Sequence, residues 1–378
     1  MIYIFEVILI FLTAFYLIVT FWLIYGIIKL RRQNKVTNTT QKSPKVSIVI
    51  AARNEEANIK KCLESCALQN YPQDKFEVIV VNDRSQDSTA MIVNNSSKDY
   101  KNIHLLNITD LPDDYKNSGK KHALKKGIKK AAGEILLLTD ADCFPQKNWI
   151  KSMIQYFHED VGVVIGHSPY RGKGLINRLI QLDNLSIIAV GAGGIGGGYP
   201  ILSVGRNFAY RRKVYEEIGG FEKIKDFSSG DDDLLLMLVR KFTKWKINFA
   251  SHPDSFVPTQ PPITINDAVK QRMRWASKGL HYTIPMTLSL MFIFLYNVIL
   301  LITIPLFFLN VITSFLPLIS LIVKTAGDFI IIFQAARLLN ESKLVKYFSL
   351  AALVHIPYLV FFGLYGTFGN VQWKSDQK

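Results

Sequence analysis

Two aspartates with one residue between them lie directly after a short run of aliphatic residues. Asp140 and Asp142 follow Ile135–Leu138, which has the pattern of a buried strand. Side chains two positions apart on an extended chain point to the same side, so the two carboxylates project together. Hard divalent cations bind such oxygens and commonly join one or two carboxylates to substrate phosphates. The pair therefore predicts a cation site, with a solvated turn as the alternative.

Polar residues also follow two other aliphatic runs. Glu55 comes shortly after Val46–Ala51, and Asp83 comes shortly after Phe76–Val81. A carboxylate in such a place could bind a ribose or a base. Ligands of parallel α/β sheets bind in the crevice beyond the carboxyl ends of the strands. We therefore expect these strand ends to contribute to one site.

Three consecutive aspartates form a separate acidic cluster. Asp231, Asp232 and Asp233 precede the apolar run Leu234–Val239. Acidic side chains at the start of a helix interact favourably with the positive end of its dipole. One aspartate can have that structural role while another accepts a proton as a general base. Both interpretations of the cluster remain open at this point.

A third group of polar and aromatic residues lies on a predicted helix before the last apolar segments. Gln271, Arg274 and Trp275 are spaced i, i+3 and i+4, so they share one face. A guanidinium group suits a pyrophosphate, and an indole suits the apolar face of a sugar ring. For Trp275 the alternative is a membrane-interface anchor, because tryptophan is enriched at that boundary.

The middle of the chain alternates apolar runs with amphipathic stretches. This alternation predicts βαβ units and an α/β domain with a mainly parallel sheet. The predicted strands are Val46–Ala51, Phe76–Val81, Ile103–Leu106, Ile135–Leu138 and Val161–Ile165. The predicted helices are Glu56–Gln69, Asp87–Ser97, Lys120–Ala132 and Asn148–His158.

Both ends of the chain are apolar enough to enter a membrane. Val7–Ile28 is uncharged and exceeds the ~20 residues that a helix needs to cross the bilayer core. Three further spans are predicted, at Ile284–Leu309, Val311–Phe333 and Tyr347–Phe368. By the positive-inside rule, the distribution of Lys and Arg predicts that both termini lie outside and the central domain lies in the cytosol.

The second of these C-terminal spans carries two opposite charges. Lys324 and Asp328 are four residues apart, so they share a helix face and can pair. We predict an ion pair between packed helices, with a role in an acceptor channel as the alternative.

Composition narrows the class of protein. The 378 residues include 45 Lys and Arg against 30 Asp and Glu, a net charge of +15. A membrane surface explains this excess more simply than nucleic acid does, since each positive charge near an anionic leaflet contributes about 1 kcal/mol. No helix-turn-helix or RNA-binding motif is evident, so we expect no nucleic-acid partner. Three cysteines suggest a reducing compartment without a disulfide framework.

A glycine-rich run could suggest a dehydrogenase. Gly191–Gly196 matches the dinucleotide fingerprint, but Gly-Gly-Tyr-Pro200 follows it and does not open a helix. The fingerprint needs that helix for the pyrophosphate. We therefore exclude a dehydrogenase and expect a mobile acceptor-side loop.

Taken in order, these motifs between an N-terminal span and C-terminal spans resemble the membrane-bound members of glycosyltransferase family 2. That group has the GT-A fold and includes cellulose and hyaluronan synthases and, more distantly, ceramide glucosyltransferases. The resemblance covers roughly residues 45–278, and the match at Gln271, Arg274 and Trp275 is full. It implies an inverting transfer of sugar from a nucleotide-sugar donor, with UDP as the expected carrier. The segments 205–211 and 219–221 are similar to the acceptor side of the family.

The resemblance also implies roles for individual residues. Asp142 would hold Mg²⁺ or Mn²⁺ on the diphosphate, and Trp275 would contact the acceptor. The base of the family is the aspartate of a Glu-Asp pair; this chain lacks the glutamate, so the alignment favours Asp231 but leaves Asp232 open. Six residues would bind the nucleotide-sugar: Glu55, Asp83, Lys120, Asp140, Gln271 and Arg274.

The sequence therefore predicts a multi-pass enzyme of the plasma membrane with a cytosolic GT-A domain. The acceptor is membrane-held and slightly favoured as a lipid, with processive polysaccharide synthesis as the alternative. A non-catalytic membrane scaffold or a nucleic-acid-binding protein is the alternative of another class. The predicted parts are a transmembrane helix at 1–30, a linker at 31–44, the catalytic domain at 45–283, about three transmembrane helices at 284–370 and a tail at 371–378.

Overall fold

The computed structural model of the chain describes residues 2–33, 43–110, 112, 115, 119–227 and 230–368. Positions 34–42 of the predicted linker and the whole predicted tail lie outside the described residues. The chain divides into two compact units. The sheet unit contains Lys29–Gly172 and Gly198–Gln260, and the helical unit contains Met1–Ile28, Lys173–Gly197 and Pro261–Lys378. The predicted domain bounds remain a prediction.

The sheet unit is built on one mixed, mostly parallel sheet. Its strands are β1 (Val46–Ala52), β2 (Phe76–Asp83), β3 (Ile103–Ile108), β4 (Ile135–Leu138), β5 (Val161–Gly166), β6 (Phe208–Arg211) and β7 (Lys246–Ala250). Their order across the described sheet is β3-β2-β1-β4-β6-β5-β7. β6 runs antiparallel to both of its neighbours, whereas the other pairings are parallel. The predicted α/β class is confirmed, and β6 and β7 add to the predicted strands.

The central strands form where aliphatic residues run almost without interruption. Every residue of β4 and β5 is buried, as expected for parallel strands covered on both faces. The helices of this unit are α2 (Ile59–Ala67), α3 (Thr89–Asp99), α4 (Gly119–Lys130), α5 (Trp149–Ile154), α7 (Arg212–Glu217) and α8 (Asp233–Phe242). α4 lies close against β1 and β2 because Gly127 has no Cβ, which would come within 2.8 Å of Val49 and Val81 side-chain atoms.

The helical unit contains α1 (Ile2–Gln33) as far as Ile28, together with α6 (Leu175–Gly196), α9 (Ile265–Ala276), α10 (Ile284–Phe308), α11 (Leu316–Leu338) and α12 (Phe348–Phe368). Among the described residues, five segments are long and apolar enough to cross a membrane. Four of them correspond to the predicted spans, and the fifth is α6. The predicted pairing of Lys324 with Asp328 is confirmed, with 2.6 Å between Nζ and Oδ2.

The predicted loop at Gly191–Gly196 is wrong, because α6 continues through Gly196. The glycines let α6 and α1 approach until their backbones touch. A Cβ on Gly26 would lie 1.9 Å from the carbonyl oxygen of Gly193, and one on Gly196 would lie 2.0 Å from that of Gly26. This contact stabilises a glycine-rich helix that has low intrinsic helix propensity.

Candidate active site

The strand order places a topological switch point between β1 and β4. The chain passes from β1 to β2 and β3 on one side, and then returns to β4 on the other side of β1. Crevices at the carboxyl ends of such strands are the usual ligand sites of open α/β sheets. Asp83 ends β2, and Asp140 follows β4 directly. The predicted strand-end residues therefore lie at the same edge of the sheet.

Lys120 joins two of the predicted carboxylates. Its Nζ lies 2.8 Å from Oδ1 of Asp140 and 3.0 Å from Oδ2 of Asp231. Partial burial lowers the pKa of Lys120, but the two carboxylates outweigh this effect and hold it well above its usual range. The structure thus brings Asp140, after β4, and Asp231, before α8, to one ammonium group.

Asp142 lies on the same loop after β4 as Asp140, and its backbone is fixed by a neighbouring segment. Thr259 donates its hydroxyl to the carbonyl oxygen of Asp142 at 3.0 Å, and Thr259 also forms a β-bridge with Cys143. Burial and then the charge of Asp140 raise the pKa of Asp142 above its ordinary value. A divalent cation stabilises a carboxylate whose ionisation is opposed by burial and by a neighbouring negative charge, so this donor set fits Mg²⁺ or Mn²⁺.

The described residues offer few other ligands for such a cation. No group of three or more His, Cys, Asp or Glu residues within them could hold a metal ion. Mg²⁺ commonly binds to one or two carboxylates and takes its remaining ligands from substrate phosphates and water. The donor set is therefore suited to a metal that arrives with a diphosphate.

The three consecutive aspartates have different surroundings. Asp232 caps α8, since its Oδ1 accepts from the amide of Asp233 at 2.7 Å and its Oδ2 accepts from the amide of Gly205 at 2.8 Å. Asp233 is buried, and its Oδ1 accepts from the amide of Leu234 at 3.0 Å. Asp231 faces Lys120 instead. Its surroundings therefore suit a reactive carboxylate better than those of Asp232.

Hydrogen bonds link the loop after β1 to the loop after β2. The amide of Glu55 donates to the hydroxyl of Thr89 at 2.8 Å, and the amide of Gln86 donates to Oδ1 of Asn54 at 2.9 Å. Asp83 is only 4% exposed and accepts from Nε of Arg84 at 2.7 Å. This linkage holds Glu55 and Asp83 on neighbouring, mutually fixed segments.

Arg206 is a neighbour of the acidic loop to which the sequence analysis assigned no individual role. It is 9% exposed, its Nη1 donates to the hydroxyl of Tyr170 at 2.9 Å, and its guanidinium lies 4.7 Å from the centre of the Tyr170 ring. Its positive charge opposes the upward shift of the pKa of Asp142. The signal in the sequence was its place in the segment 205–211, which resembles the acceptor side of the family and contains β6.

Gln271, Arg274 and Trp275 lie in the helical unit, on α9, so the structure does not place them in the same unit as the other predicted site residues. All three are half-buried. α9 begins with a capping box in which Thr264 and Asp267 bind each other's backbone amides. Arg272 follows Gln271 on α9. Its Nη2 lies 3.5 Å from Oδ1 of Asp183 on α6, and this ion pair links the two helices.

Comparison with known families gives the decisive observation. Residues 135–365 match the family described as Glycosyl transferase family group 2, and residues 47–219 match the family described as Glycosyl transferase family 2. The chain belongs to glycosyltransferase family 2. The family resemblance that the motifs suggested is therefore confirmed.

Individual relatives include enzymes of more than one kind. The chain is 33% identical to the "Probable glycosyltransferase YdaM" of Bacillus subtilis (strain 168), over 64% of this chain and 56% of that protein. It is 28% identical to the poly-beta-1,6-N-acetyl-D-glucosamine synthase of Staphylococcus epidermidis, over 62% and 54% of the two chains. It is 25% identical to the beta-monoglucosyldiacylglycerol synthase of Synechocystis, over 62% and 48%. The chain thus spans about half the length of these curated relatives.

A solved structure supports the fold. The mannosyltransferase PcManGT from Pyrobaculum calidifontis, solved with GDP-Man and Mn2+, aligns with a TM-score of 0.57 at 19% identity. The alignment covers 92% of this chain and 99% of that structure. The predicted GT-A class is thereby confirmed.

Proposed function

We propose that this protein is an inverting glycosyltransferase that moves a sugar from a nucleotide-sugar to a membrane-held acceptor. The observation that carries this proposal is Lys120, whose ammonium group contacts both Asp140 and Asp231. Asp140 lies beside the predicted metal ligand Asp142, and Asp231 is the predicted base. An enzyme that breaks a sugar–diphosphate bond needs both within the reach of one substrate.

The donor side of the reaction follows from the strand-end residues. Asp142, together with Asp140, would hold Mg²⁺ or Mn²⁺, which would neutralise charge that develops on the departing diphosphate. Glu55 and Asp83 would bind the nucleotide. Lys120 would leave its carboxylate partners and bind the diphosphate, so that its positive charge stabilises the leaving group.

The acceptor side needs a group that removes a proton. Asp231 would accept the proton of the acceptor hydroxyl while the hydroxyl oxygen forms a bond to the anomeric carbon. The bond from that carbon to the diphosphate oxygen breaks on the opposite face, so the configuration inverts. A positioned base typically contributes ~10²–10⁴-fold to the rate. Asp232 remains the alternative, although both of its oxygens already accept backbone amides.

The residues of α9 have their proposed roles from the family resemblance alone. The resemblance to the family assigns Gln271 and Arg274 to the donor and Trp275 to the acceptor. A guanidinium group binds phosphate oxygens well, and an indole ring packs on the apolar face of a sugar. Substitution of each residue in the full chain, with separate measurement of donor affinity and turnover, tests these assignments.

The connection through α6 supports the proposed number of membrane spans. α6 is long enough to cross a membrane, yet it joins β5 to β6, and these strands are hydrogen-bonded neighbours in one sheet. A single crossing would put the two strands on opposite sides. The chain must therefore enter and leave α6 on the same side, which supports four spans formed by α1, α10, α11 and α12.

We propose that these spans lie in the plasma membrane with the sheet unit in the cytosol and both termini outside. The Lys and Arg residues at the end of α1, in the last turn of α11 and before α12 support this orientation. Cysteine labelling of intact cells tests it with an Asn340→Cys variant. We expect no reaction from outside at position 340, and labelling there would contradict the proposed orientation.

The acceptor is proposed as a lipid that receives a single sugar. Relatives named for a glycolipid product and for a polysaccharide product both match this chain, so processive synthesis is the second candidate. Three C-terminal spans provide a small path for moving a polymer, which favours the lipid.

One experiment separates these products and tests the activity itself. Membranes that contain the protein are incubated with a panel of nucleotide-sugars and Mg²⁺ or Mn²⁺, and the lipid and polymer fractions are analysed. We expect cation-dependent release of a nucleoside diphosphate together with a glycolipid that carries one sugar. A polymer would favour the processive alternative. A protein that releases no nucleoside diphosphate from any donor would be a non-catalytic scaffold.

A further inference from the structure

His122, near the start of α4, is a buried histidine whose polar atoms have no partner. The residue is 3% exposed, and within the described part of the chain neither Nδ1 nor Nε2 takes part in a hydrogen bond. The ring packs edge-on against Tyr115, with 5.2 Å between the ring centres. Burial, and then the charge of Lys126, lower the pKa of His122, so the imidazole is neutral at neutral pH. It therefore buries one donor and one acceptor without satisfying either.

A second unsatisfied group lies at the end of β2. Arg84 donates Nε to Asp83 at 2.7 Å, but its Nη2 is buried without a partner among the described residues. Buried polar groups in native proteins nearly always have partners, and exceptions need a specific reason. A bound ligand is one such reason, because it can supply the missing partners.

The two groups belong to the same neighbourhood. α4 packs against β2, and the charge of Asp83 acts on the imidazole of His122. Lys120, two positions earlier, contacts Asp140 and Asp231 instead. Residues two apart on a helix point about 200° apart, so the start of α4 presents the ammonium group and the imidazole to different sides.

We propose that His122, together with Arg84, binds the nucleoside half of the nucleotide-sugar, while Lys120 serves the diphosphate half. This inference rests on the proposed function. A nucleoside carries N–H and C=O groups on its base and hydroxyl groups on its ribose. These groups complement the donor and acceptor of a neutral imidazole and the free donor of a guanidinium group. A site with such groups rejects ligands that leave them unpaired, which makes His122 a specificity-determining residue.

The alternative is that His122 only supports the fold, and stability distinguishes the two roles. A histidine that stabilises the core should destabilise the protein when it is replaced. A histidine kept for a ligand leaves its polar atoms unsatisfied in the free protein, so replacement by an apolar residue should not lower stability. Lower affinity without lower stability is thus the signature of the binding role.

The test uses the full chain in detergent with Mn²⁺ present. Calorimetric titration with UDP, GDP, CDP and ADP identifies the nucleoside diphosphate that binds most tightly, and inorganic pyrophosphate serves as the probe without a nucleoside. The variants are His122→Leu and His122→Gln, of which the second keeps one donor and one acceptor. His104→Leu is the matched control, because His104 is an exposed histidine on β3.

We expect His122→Leu to weaken the preferred nucleoside diphosphate by about tenfold, as the loss of one or two hydrogen bonds predicts. Pyrophosphate should bind as it does to the unaltered protein, and the ligand-free melting temperature should be unchanged or higher. His122→Gln should recover part of the affinity, and His104→Leu should change nothing. A reduced preference among the four bases assigns His122 to the base. A reduced preference for the nucleoside diphosphate over its 2′-deoxy analogue assigns His122 to the ribose.

Three results would overturn the inference. His122→Leu could bind the nucleoside diphosphate normally, it could lose stability with unchanged affinity, or it could weaken pyrophosphate equally. If the unaltered protein still binds nucleotide and transfers sugar, only this inference fails. If the unaltered protein binds no nucleoside diphosphate with or without Mn²⁺, the proposed function fails, and this inference fails with it.

Discussion

The two units of the molecule each contain a cluster of opposite charges, and the clusters differ in how closed they are. In the sheet unit, Lys120 contacts Asp140 and Asp231, and the lysine side chain is 41% exposed. In the helical unit, Lys324 contacts Asp328, and that lysine side chain is 4% exposed. The same pair of residue types thus occurs once with a solvent-exposed ammonium group and once with a buried one.

The cluster of the helical unit satisfies its charges from three helices. Oδ2 of Asp328 accepts from Lys324 and lies 3.2 Å from Nδ1 of His355 on α12. Oδ1 accepts the hydroxyl of Tyr16 on α1 at 2.7 Å. Charged groups inside a membrane are costly unless they are paired, so such a closed arrangement fixes helices to one another. In the sheet unit, buried atoms of His122 and Arg84 have no hydrogen-bond partner among the described residues, which we interpret as the pattern of a binding site.

The largest effect is expected from the metal side of the open cluster. Asp142→Asn should lower sugar transfer by about 10³-fold, because a divalent cation supplies several kcal/mol of transition-state stabilisation. The protein should remain folded and inserted in the membrane. The measurement is the release of nucleoside diphosphate with Mg²⁺ or Mn²⁺ and with excess chelator. Asp160→Asn, at an exposed carboxylate of the same unit, is the matched control. Equal activity with and without chelator would contradict the assignment of Asp142 as a metal ligand.

The next effect separates the three aspartates before α8. Asp231→Asn should lower kcat by about 10²–10⁴-fold, because the base acts on the acceptor proton in the transition state. Donor affinity should be unchanged or higher, since Lys120 loses a competing partner. Asp232→Asn should keep the cap of α8 but lose the acceptor for the amide of Gly205, so we expect a loss of about 1 kcal/mol of stability with little change in turnover. Asp233→Asn should cost about 0.3–1 kcal/mol of stability through the helix dipole.

Donor titration and turnover for all three variants decide the assignment. A loss of turnover in Asp232→Asn that exceeds the loss in Asp231→Asn would transfer the role of base to Asp232. Near-normal turnover in all three variants would mean that the base lies elsewhere.

Substitutions in the cluster of Lys324 and Asp328 should lower the stability of the protein rather than its turnover. Lys324→Met or Asp328→Leu alone should cost about 3–5 kcal/mol, because each leaves a buried charge without its oppositely charged partner on α11. The double variant should be close to the unaltered protein, since a buried ion pair often contributes little net stability. Thermal unfolding in detergent measures these changes. The exposed pair of Lys246 and Asp160 is the control, and its removal should have no measurable effect.

The contrast between the clusters would be lost if the double variant at Lys324 and Asp328 abolished sugar transfer while it remained stable. That result would favour a role of the pair in an acceptor channel.

The smallest effect is expected at the hydrogen bond from α1. Tyr16→Phe removes the donor to Asp328 but keeps the ring, which packs 5.3 Å from the ring of Tyr296. We expect a loss of about 1 kcal/mol of stability and unchanged turnover. A melting temperature equal to that of the unaltered protein would show that the other partners of Asp328 are sufficient.

Regular patterns made much of this structure predictable. The predicted strands before Asp83 and Asp140 appear where their aliphatic runs lie, and the four predicted spans correspond to α1, α10, α11 and α12. Such elements are encoded locally, by runs and periods that one window of sequence contains. The acidic pair after β4 could be found for the same reason.

Features that depend on distant contacts could not be predicted. The helical Gly191–Gly196 depends on Gly26 of α1, far away in sequence. β6 is four residues long and becomes a strand only between β4 and β5. His122 stood out only after its surroundings were known, because nothing in its spacing shows that its nitrogens lack partners. The capping contacts of Asp232, which favour Asp231 as the base, also depend on a distant amide, that of Gly205.

The position of α6 in the chain, between β5 and β6, affects how the protein can fold during synthesis. β6 separates β4 from β5 in the sheet, yet it leaves the ribosome only after α6 has been made. Until then the nascent sheet has a gap at its centre, and Asp231 has not yet been translated. At about 5–20 residues per second, α6 has seconds to find α1 before the remaining strands emerge. Docking of α6 should therefore precede assembly of the predicted site residues, so that an unfinished chain does not yet hold Asp140 and Asp231 together.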